Sequence, residues 1–99
     1  MIDKIKIGKL VYKIKYQEIV DNVLRFGQCD SAKQEILIAT KFSVLRQKET
    51  LIHEVIHAVL NEYGIEHNES IPSIMAKVFT EIIIDNKKLI KEFLELKEE

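Results

Sequence analysis

The sequence predicts an α+β fold in which a small antiparallel β-sheet of three or four strands is followed by three helices. Two observations predict this class. Apolar and polar residues alternate over much of the first 39 residues, whereas apolar residues recur at helical spacing from residue 44 onward. The length of 99 residues and the 46% of hydrophobic residues suit one core, so we expect a single domain over residues 1–99.

The strands are predicted in two pairs. Over residues 2–16, Ile, Val and Tyr largely alternate with Lys, and Gly8 interrupts the pattern, which indicates two strands joined by a turn. Residues 23–27 and 36–39 are short apolar runs on either side of the polar segment 30–34. They predict a second hairpin with a long loop.

Three helices are predicted for the rest of the chain. Residues 44–63 contain neither Gly nor Pro, and Gly64 then ends this first helix. Pro72 suits the first turn of a second helix, because a residue there needs no N–H and the φ of proline is already helical. Asn86 marks a break before a third helix over residues 87–96, whose apolar residues share one face.

The charge and the cysteine content of the chain indicate which binding partners and which cellular compartment to expect. Fifteen Lys and Arg against sixteen Asp and Glu give a net charge of −1, so we expect neither nucleic acid nor a membrane as a partner. Cys29 is the single cysteine, which excludes an internal disulfide and a thiolate-rich zinc ribbon. No apolar stretch reaches the ~18 residues of a membrane span. These features favour a cytoplasmic protein.

The first predicted helix carries the pattern H-E-x-x-H, from His53 to His57. Two His four residues apart lie on one face of a helix and can bind one zinc ion. Glu54 projects beside that pair, near enough to hydrogen-bond a zinc-bound water without being a ligand. Such a carboxylate can accept a proton from the water and hand it to a leaving amine, so the motif predicts hydrolysis of an amide bond with Glu54 as general base.

The motif has a structural alternative, in which the two His are ordinary core residues. A shuffled chain with three His and twelve Glu contains this pattern about once in a hundred. The flanking positions are apolar, so unpaired His and Glu side chains there would carry a desolvation cost. Zinc binding by His53 and His57 is therefore the favoured interpretation.

A catalytic zinc needs a third protein ligand, and several residues are candidates. Glu62 lies about 140° round the helix from His57, which directs it away from the metal. Tyr63 stands where metzincins have a third His, so that subclass is excluded. The candidates that remain open are Glu69, Glu81, Glu66 and His67.

Glu69 is favoured among the four. It shares a helical stripe with Ala76 and Ile83, and the small Ala76 would let that stripe approach the motif helix closely. Glu81 competes because Asp85, four residues on, could be its hydrogen-bond partner. Glu66 and His67 are weaker candidates and are otherwise expected to be surface residues.

These motifs resemble the small zincin-like metallopeptidases of phages and prophages, which are distantly similar to ImmA/IrrE-type metalloproteases. The resemblance covers most of the chain and is specific over about residues 34–86, which include the motif helix, an acidic loop and the next helix. It implies a minimal zincin-like core, a zinc held by the two motif His and a downstream Glu, and a protein substrate such as a regulator. The acidic residue that opens the next helix in that family matches Glu69, whereas Pro72 replaces a branched apolar residue.

Three functional hypotheses follow. The first is a zinc metalloprotease acting on a protein or peptide, whose edge strand binds the substrate as an added strand. The second is a non-catalytic zinc-binding regulatory module of phage or prophage origin that binds a protein partner. The third is a toxin or nucleic-acid factor that uses the Lys-rich first hairpin. Glu54 favours the first, because a structural zinc site needs no general base.

Overall fold

Four strands precede three helices in the computed structural model, which describes residues 1–18, 20 and 25–97. Within those residues the elements are β1 (Lys4–Ile7), β2 (Leu10–Gln17), β3 (Gly27–Asp30), β4 (Glu35–Ala39), α1 (Val44–Glu62), α2 (Ser70–Asp85) and α3 (Lys87–Leu94). The predicted α+β class, with a four-stranded sheet ahead of three helices, is confirmed.

The sheet has the order β1-β2-β4-β3. The outer pairs are antiparallel, as predicted, but the central strands β2 and β4 run parallel, with Ile14 opposite Ile36. The prediction of an antiparallel sheet is therefore wrong for its central pair. β4 is the most apolar strand, and Ile36, Ile38 and Ala39 are buried, so it gains most from a central position with neighbours on both edges.

The second hairpin differs in its bounds from the prediction. β3 begins at Gly27, where the predicted strand ended, and continues to Asp30. Of the predicted strand over 23–27, residues 23 and 24 lie outside the described residues. The turn to β4 therefore has only four residues, 31–34, and the Lys33 N–H donates to Asp30 Oδ1 at 3.1 Å. The predicted long loop is wrong because Gln28 and Cys29 pair with β4 despite their polarity.

Helix α1 packs against one face of the sheet. Its first turn is capped by the Ser43 hydroxyl, which accepts from the Arg46 N–H at 3.2 Å, and its end is followed by Gly64 in the left-handed region with φ +67°. The helix and the strands share one core, formed by Ile7, Tyr12, Ile14, Ile36, Ile38, Leu51 and Ala58. The predicted end of this helix at Gly64 is confirmed.

Helix α2 lies against α1 through small side chains. Its buried residues are Pro72, Ala76 and Thr80, which are four residues apart and so form one stripe. Pro72 is in the first turn, as predicted. After a break at Asn86, α3 ends at Leu94, two residues before its predicted end, and none of residues 87–94 is buried. No described helix combines the length and the apolar character needed to cross a membrane.

Gly27 allows β3 to approach α1 closely. A Cβ at this position would lie 2.6 Å from Thr50 Cγ2 and 2.8 Å from the carbonyl oxygen of Leu37. Both separations are too short for real contacts, and the Leu37 oxygen belongs to the backbone of β4 and cannot rotate away. The separation between β3 and α1 therefore depends on this glycine.

We predict that Gly27→Ala lowers the free energy of unfolding by about 1–3 kcal/mol, because the added methyl group overpacks the contact between β3 and α1. Thr50→Ser removes the methyl group nearest to Gly27 and keeps the hydroxyl, which donates to the Arg46 carbonyl at 2.7 Å. The double variant should therefore regain part of the lost stability in urea denaturation. Equal stability of Gly27→Ala and the parent would show that this contact is not tight.

Candidate metal centre

A cleft of about 650 Å³ opens between α1, β3 and the start of α2. The motif residues His53, Glu54 and His57 line it from α1, and Gly27, Gln28 and Cys29 line it from β3. Glu69 and Ser73 line it from the side of α2. The H-E-x-x-H motif therefore faces a cavity open to solvent.

The structure brings together His53, His57 and Glu69. The Nε2 atoms of His53 and His57 each lie 3.0 Å from a different carboxylate oxygen of Glu69. Potential ligand atoms of the three residues all lie within 4.8 Å of one another, and the two imidazole rings are 4.9 Å apart between centroids. The two His side chains are mostly buried, at 18% and 15% exposed, whereas Glu69 is 75% exposed. Two nitrogens and a carboxylate thus converge on one point.

The loop between α1 and α2 places Glu69 at this point. The chain reverses after Gly64, where the Ile65 N–H donates to the Leu60 carbonyl at 2.9 Å. Asn68 Oδ1 then accepts from the Ser70 N–H at 3.0 Å and fixes the start of α2. The small buried Ala76 lets the helix lie close to α1, which is the reason that the sequence favoured Glu69.

The other acidic candidates for the third ligand lie elsewhere. Glu81 and Glu66 are exposed, and neither belongs to the metal-ligand group found among the described residues. Glu62 accepts a hydrogen bond from the buried Tyr12 hydroxyl at 2.7 Å, away from the site as predicted. Cys29 lines the cleft, but burial raises the pKa of its thiol to about 11 and so disfavours the thiolate that binds metals.

His67 has a position that the sequence did not indicate. Its Nε2 lies 2.8 Å from His57 Nδ1, and its own Nδ1 lies 2.9 Å from the Ile65 carbonyl oxygen. A carbonyl only accepts, so Nδ1 of His67 carries the proton and, in the neutral ring, Nε2 accepts from His57 Nδ1–H. This leaves the lone pair of a neutral His57 on Nε2, the atom that faces Glu69.

His67 therefore lies outside the group formed by His53, His57 and Glu69 among the described residues, and it is half-buried, whereas a fully exposed surface residue was expected if it was not a ligand. It orients His57 from the side opposite to Glu69, as hydrogen-bond acceptors commonly do for metal-binding His. Helical periodicity carried no signal for this role, because His67 lies in the loop and its position depends on how the chain turns after Gly64.

Glu54 is buried beside these groups, with only 6% of its surface exposed. Its pKa is raised to about 7, mainly by burial and also by the negative charge of Glu69, while the positive charge of Arg25 acts in the opposite direction. A carboxyl group with a pKa near neutrality can both take up and release a proton at physiological pH. This is the property that a general base requires.

The pKa values of His57 and Glu69 are also shifted, and both shifts bear on whether these groups could bind a metal. Burial lowers the pKa of His57, although Glu69 acts in the opposite direction, so burial favours the neutral imidazole that can bind a metal. Burial alone would raise the pKa of Glu69, but hydrogen bonds and charge interactions with His57 and His53 lower it below its usual range. Glu69 is therefore ionised at neutral pH.

Comparisons with models of protein families, with curated proteins and with solved structures find no match for this chain. Its function is therefore inferred from the chemistry of the residues around the cleft.

We predict that the metal-free protein becomes less stable between about pH 4.5 and pH 7 because of Glu54. The carboxyl group keeps its proton up to about pH 7 when folded, but only to about pH 4.5 when unfolded. Unfolding thus releases a proton within this window, and the free energy of unfolding falls by up to about 1.4 kcal/mol per pH unit.

Urea denaturation in chelator, from pH 4 to pH 8, tests this prediction. Glu54→Gln should be more stable than the parent at pH 8 and lose that advantage below about pH 5. Glu66→Gln controls for the loss of an exposed carboxylate from the same molecule. A constant difference between parent and Glu54→Gln over the whole range would contradict a raised pKa.

Proposed function

We propose that the protein is a zinc-dependent metalloprotease in which His53, His57 and Glu69 hold the zinc and Glu54 is the general base. One observation carries the proposal: two imidazole Nε2 atoms and a carboxylate meet at an open cleft, next to a buried carboxyl group with a pKa of about 7. Such a combination of a ligand set and a tuned proton acceptor is typical of functional sites.

The donor set suits zinc. Zinc binds His nitrogen and carboxylate oxygen at about 2.0–2.2 Å in tetrahedral geometry, which separates neighbouring ligand atoms by about 3.3 Å. The two N–O separations in the site are 3.0 Å, close to this value, so His53, His57 and Glu69 would hold a zinc ion. Calcium and magnesium prefer oxygen ligands alone, so two imidazoles argue against them. Three protein ligands leave a fourth position open, as catalytic zinc requires.

Glu54, His67 and Glu69 have separate roles in the proposed hydrolysis. A zinc ion held by His53, His57 and Glu69 would supply a Lewis acid for the scissile carbonyl and would lower the pKa of a bound water towards ~7. Glu54 takes the proton from the attacking water and delivers it to the amine that leaves. His67 holds His57 in the tautomer with a free Nε2, and Glu69 balances part of the positive charge of the ion.

Strand β3 supports a peptide as the substrate. Within residues 1–18, 20 and 25–97, β3 is hydrogen-bonded to β4 alone, and it lines the cleft at Gly27, Gln28 and Cys29. An extended peptide can add to such an edge as a further strand, with its backbone held across the cleft from His53 and His57. A non-catalytic zinc module with a protein partner is the competing hypothesis, and Glu54 distinguishes the two.

We predict that Glu54→Gln lowers peptide hydrolysis by at least about 100-fold, because the amide cannot accept the proton of the attacking water. Its zinc content should stay within error of the parent, since Glu54 is not a ligand. Cleavage of a peptide library, read by mass spectrometry, and metal analysis of the same samples test both statements.

Glu49→Gln is the matched control, because Glu49 lines the same cleft from the same helix outside the motif. It should keep its hydrolytic activity. Equal activity of Glu54→Gln and the parent would rule out Glu54 as the base. A parent that binds zinc and cleaves no member of the library would favour the non-catalytic module.

We predict a graded loss of zinc affinity across three variants. Glu69→Ala removes a ligand and should weaken binding by more than about 100-fold, whereas His67→Ala removes only the partner of His57 and should weaken it about 10-fold. Glu81→Ala should leave affinity unchanged, because Glu81 is exposed on α2 away from the group. Titration against a competing chelator measures all three. If Glu81→Ala loses zinc and Glu69→Ala retains it, the ligand assignment is wrong.

A further inference from the structure

A second group of side chains borders the cleft at the end where α1 begins. Phe42, Phe26 and Arg46 pack on one another there and are called here the Arg46 stack. The rings of Phe26 and Phe42 meet edge to face, with 4.6 Å between their centroids, and Cζ of Arg46 lies 4.4 Å from the centroid of Phe26. Phe26 and Arg46 both line the cleft. An aromatic ring therefore holds a positive charge at the edge of the cleft.

The Arg46 stack is tied to both walls of the cleft. The side-chain amide of Gln47 donates to the Phe42 carbonyl oxygen at 2.9 Å, and so fastens the half-buried Phe42 to the first turns of α1. Phe26 directly precedes Gly27, the first residue of β3. The guanidinium of Arg46 is therefore positioned by contacts with both α1 and the start of β3 before any ligand arrives.

The guanidinium keeps its hydrogen-bond donors available. Among the described residues its one ion pair is with Glu49, at 3.8 Å between Nη1 and Oε1, which is too long for a hydrogen bond. The Phe26 ring covers one face of the guanidinium and leaves the edge with its N–H groups open. Arg25, next to Phe26 in the chain, also lines the cleft and adds a second positive charge. A carboxylate is the peptide side chain that fits this fork of donors.

The spacing along α1 relates Arg46 to the candidate metal centre. Arg46 precedes His53 by seven residues, so the two lie on one side of the helix, about 10.5 Å apart along its axis. An extended peptide advances about 3.3 Å per residue. A peptide bond beside His53 therefore places the side chain of the second or third residue away from it within reach of Arg46.

The direction of an added strand decides on which side of that bond Arg46 lies. Strand β3 and helix α1 run the same way along the cleft, because Gly27 adjoins Thr50 and, further on, the Ser31 hydroxyl accepts from the Asn61 side chain at 2.9 Å. A strand that adds antiparallel to β3, the slightly more stable arrangement, enters beside Asn61 and leaves beside Arg46. Arg46 then meets residues on the C-terminal side of the bond.

We propose that Arg46, held over Phe26, binds an Asp or Glu side chain of the substrate at the second or third residue after the cleaved bond. The inference rests on the proposed metalloprotease function, because the metal centre defines where that bond lies. The guanidinium donates two N–H groups to the carboxylate. Arg25 and Arg46 both repel Lys or Arg at the same position, so selection combines attraction with repulsion.

Cleavage of a pool of random peptides by the zinc-loaded parent tests the position. The peptides are acetylated and amidated, so that no terminal charge competes with the side chains. Sequencing of the products by mass spectrometry should find Asp or Glu about 10-fold more often than Lys or Arg at the second or third residue after the cleaved bond.

Binding supplies a readout that needs neither zinc nor hydrolysis. Peptides retained from the same pool by the immobilised parent in chelator should also be enriched in Asp and Glu. Arg46→Glu should reverse the preference in both measurements. The new carboxylate lies three residues after the N-cap Ser43 and completes a capping box, so this variant should fold. Lys48→Glu is the matched control, because Lys48 is exposed on α1 and is not among the described residues that line the cleft. It should keep the parent's preference.

The two measurements separate this proposal from the proposed function. Retention of acidic peptides that depends on Arg46, without cleavage of any peptide, supports the binding of carboxylates by Arg46 and rejects the protease. Cleavage without a preference for Asp or Glu supports the protease and overturns the role of Arg46. The role is overturned equally if Arg46→Glu keeps the parent's preference, or if the preferred acidic residue lies on the N-terminal side of the cleaved bond.

Discussion

The 3.0 Å contacts of His53 Nε2 and His57 Nε2 with the two oxygens of Glu69 are the interaction on which the candidate site depends. They join α1 to the start of α2, and they require the chain to turn at Gly64 and α2 to approach α1 through Ala76. The same carboxylate also influences Glu54, because its negative charge opposes the ionisation of that side chain. One exposed residue thereby contacts both motif His and affects the ionisation of Glu54.

The wall of the cleft formed by β3 depends on a different residue, Gly27. Gly27 lets β3 lie against α1 so closely that Glu54 loses most of its contact with water, and this burial is the main reason for its raised pKa. A buried carboxyl group lowers the free energy of unfolding at neutral pH. This cost falls on Glu54, the residue that the proposed chemistry uses. Strain and desolvation of this kind are concentrated at functional sites.

The sequence predicted features that depend on local chemistry and missed those that depend on distant contacts. Gly64, Pro72 and Asn86 act within one helical turn, so the helix ends they mark were predicted correctly. The parallel pairing of β2 with β4 joins residues more than 20 positions apart, and no local pattern reports it. In the site, spacing alone placed His53 and His57 on one face and stripe geometry indicated Glu69, whereas His67 depends on the path of a loop. Periodicity likewise indicates that one side of α2 is apolar, but it does not indicate what covers that side.

The most direct test of the proposed metal centre is X-ray absorption at the zinc edge of the zinc-loaded protein. Ligation by His53, His57 and Glu69 predicts two imidazole nitrogens at about 2.0–2.1 Å, with the multiple scattering of their rings, and oxygen at about 2.0–2.2 Å. Cys29 is the single cysteine, so a sulfur at about 2.3 Å would place the zinc on that thiolate and away from the H-E-x-x-H motif. A shell of oxygens without imidazole scattering would likewise contradict a zinc centre built on His53 and His57.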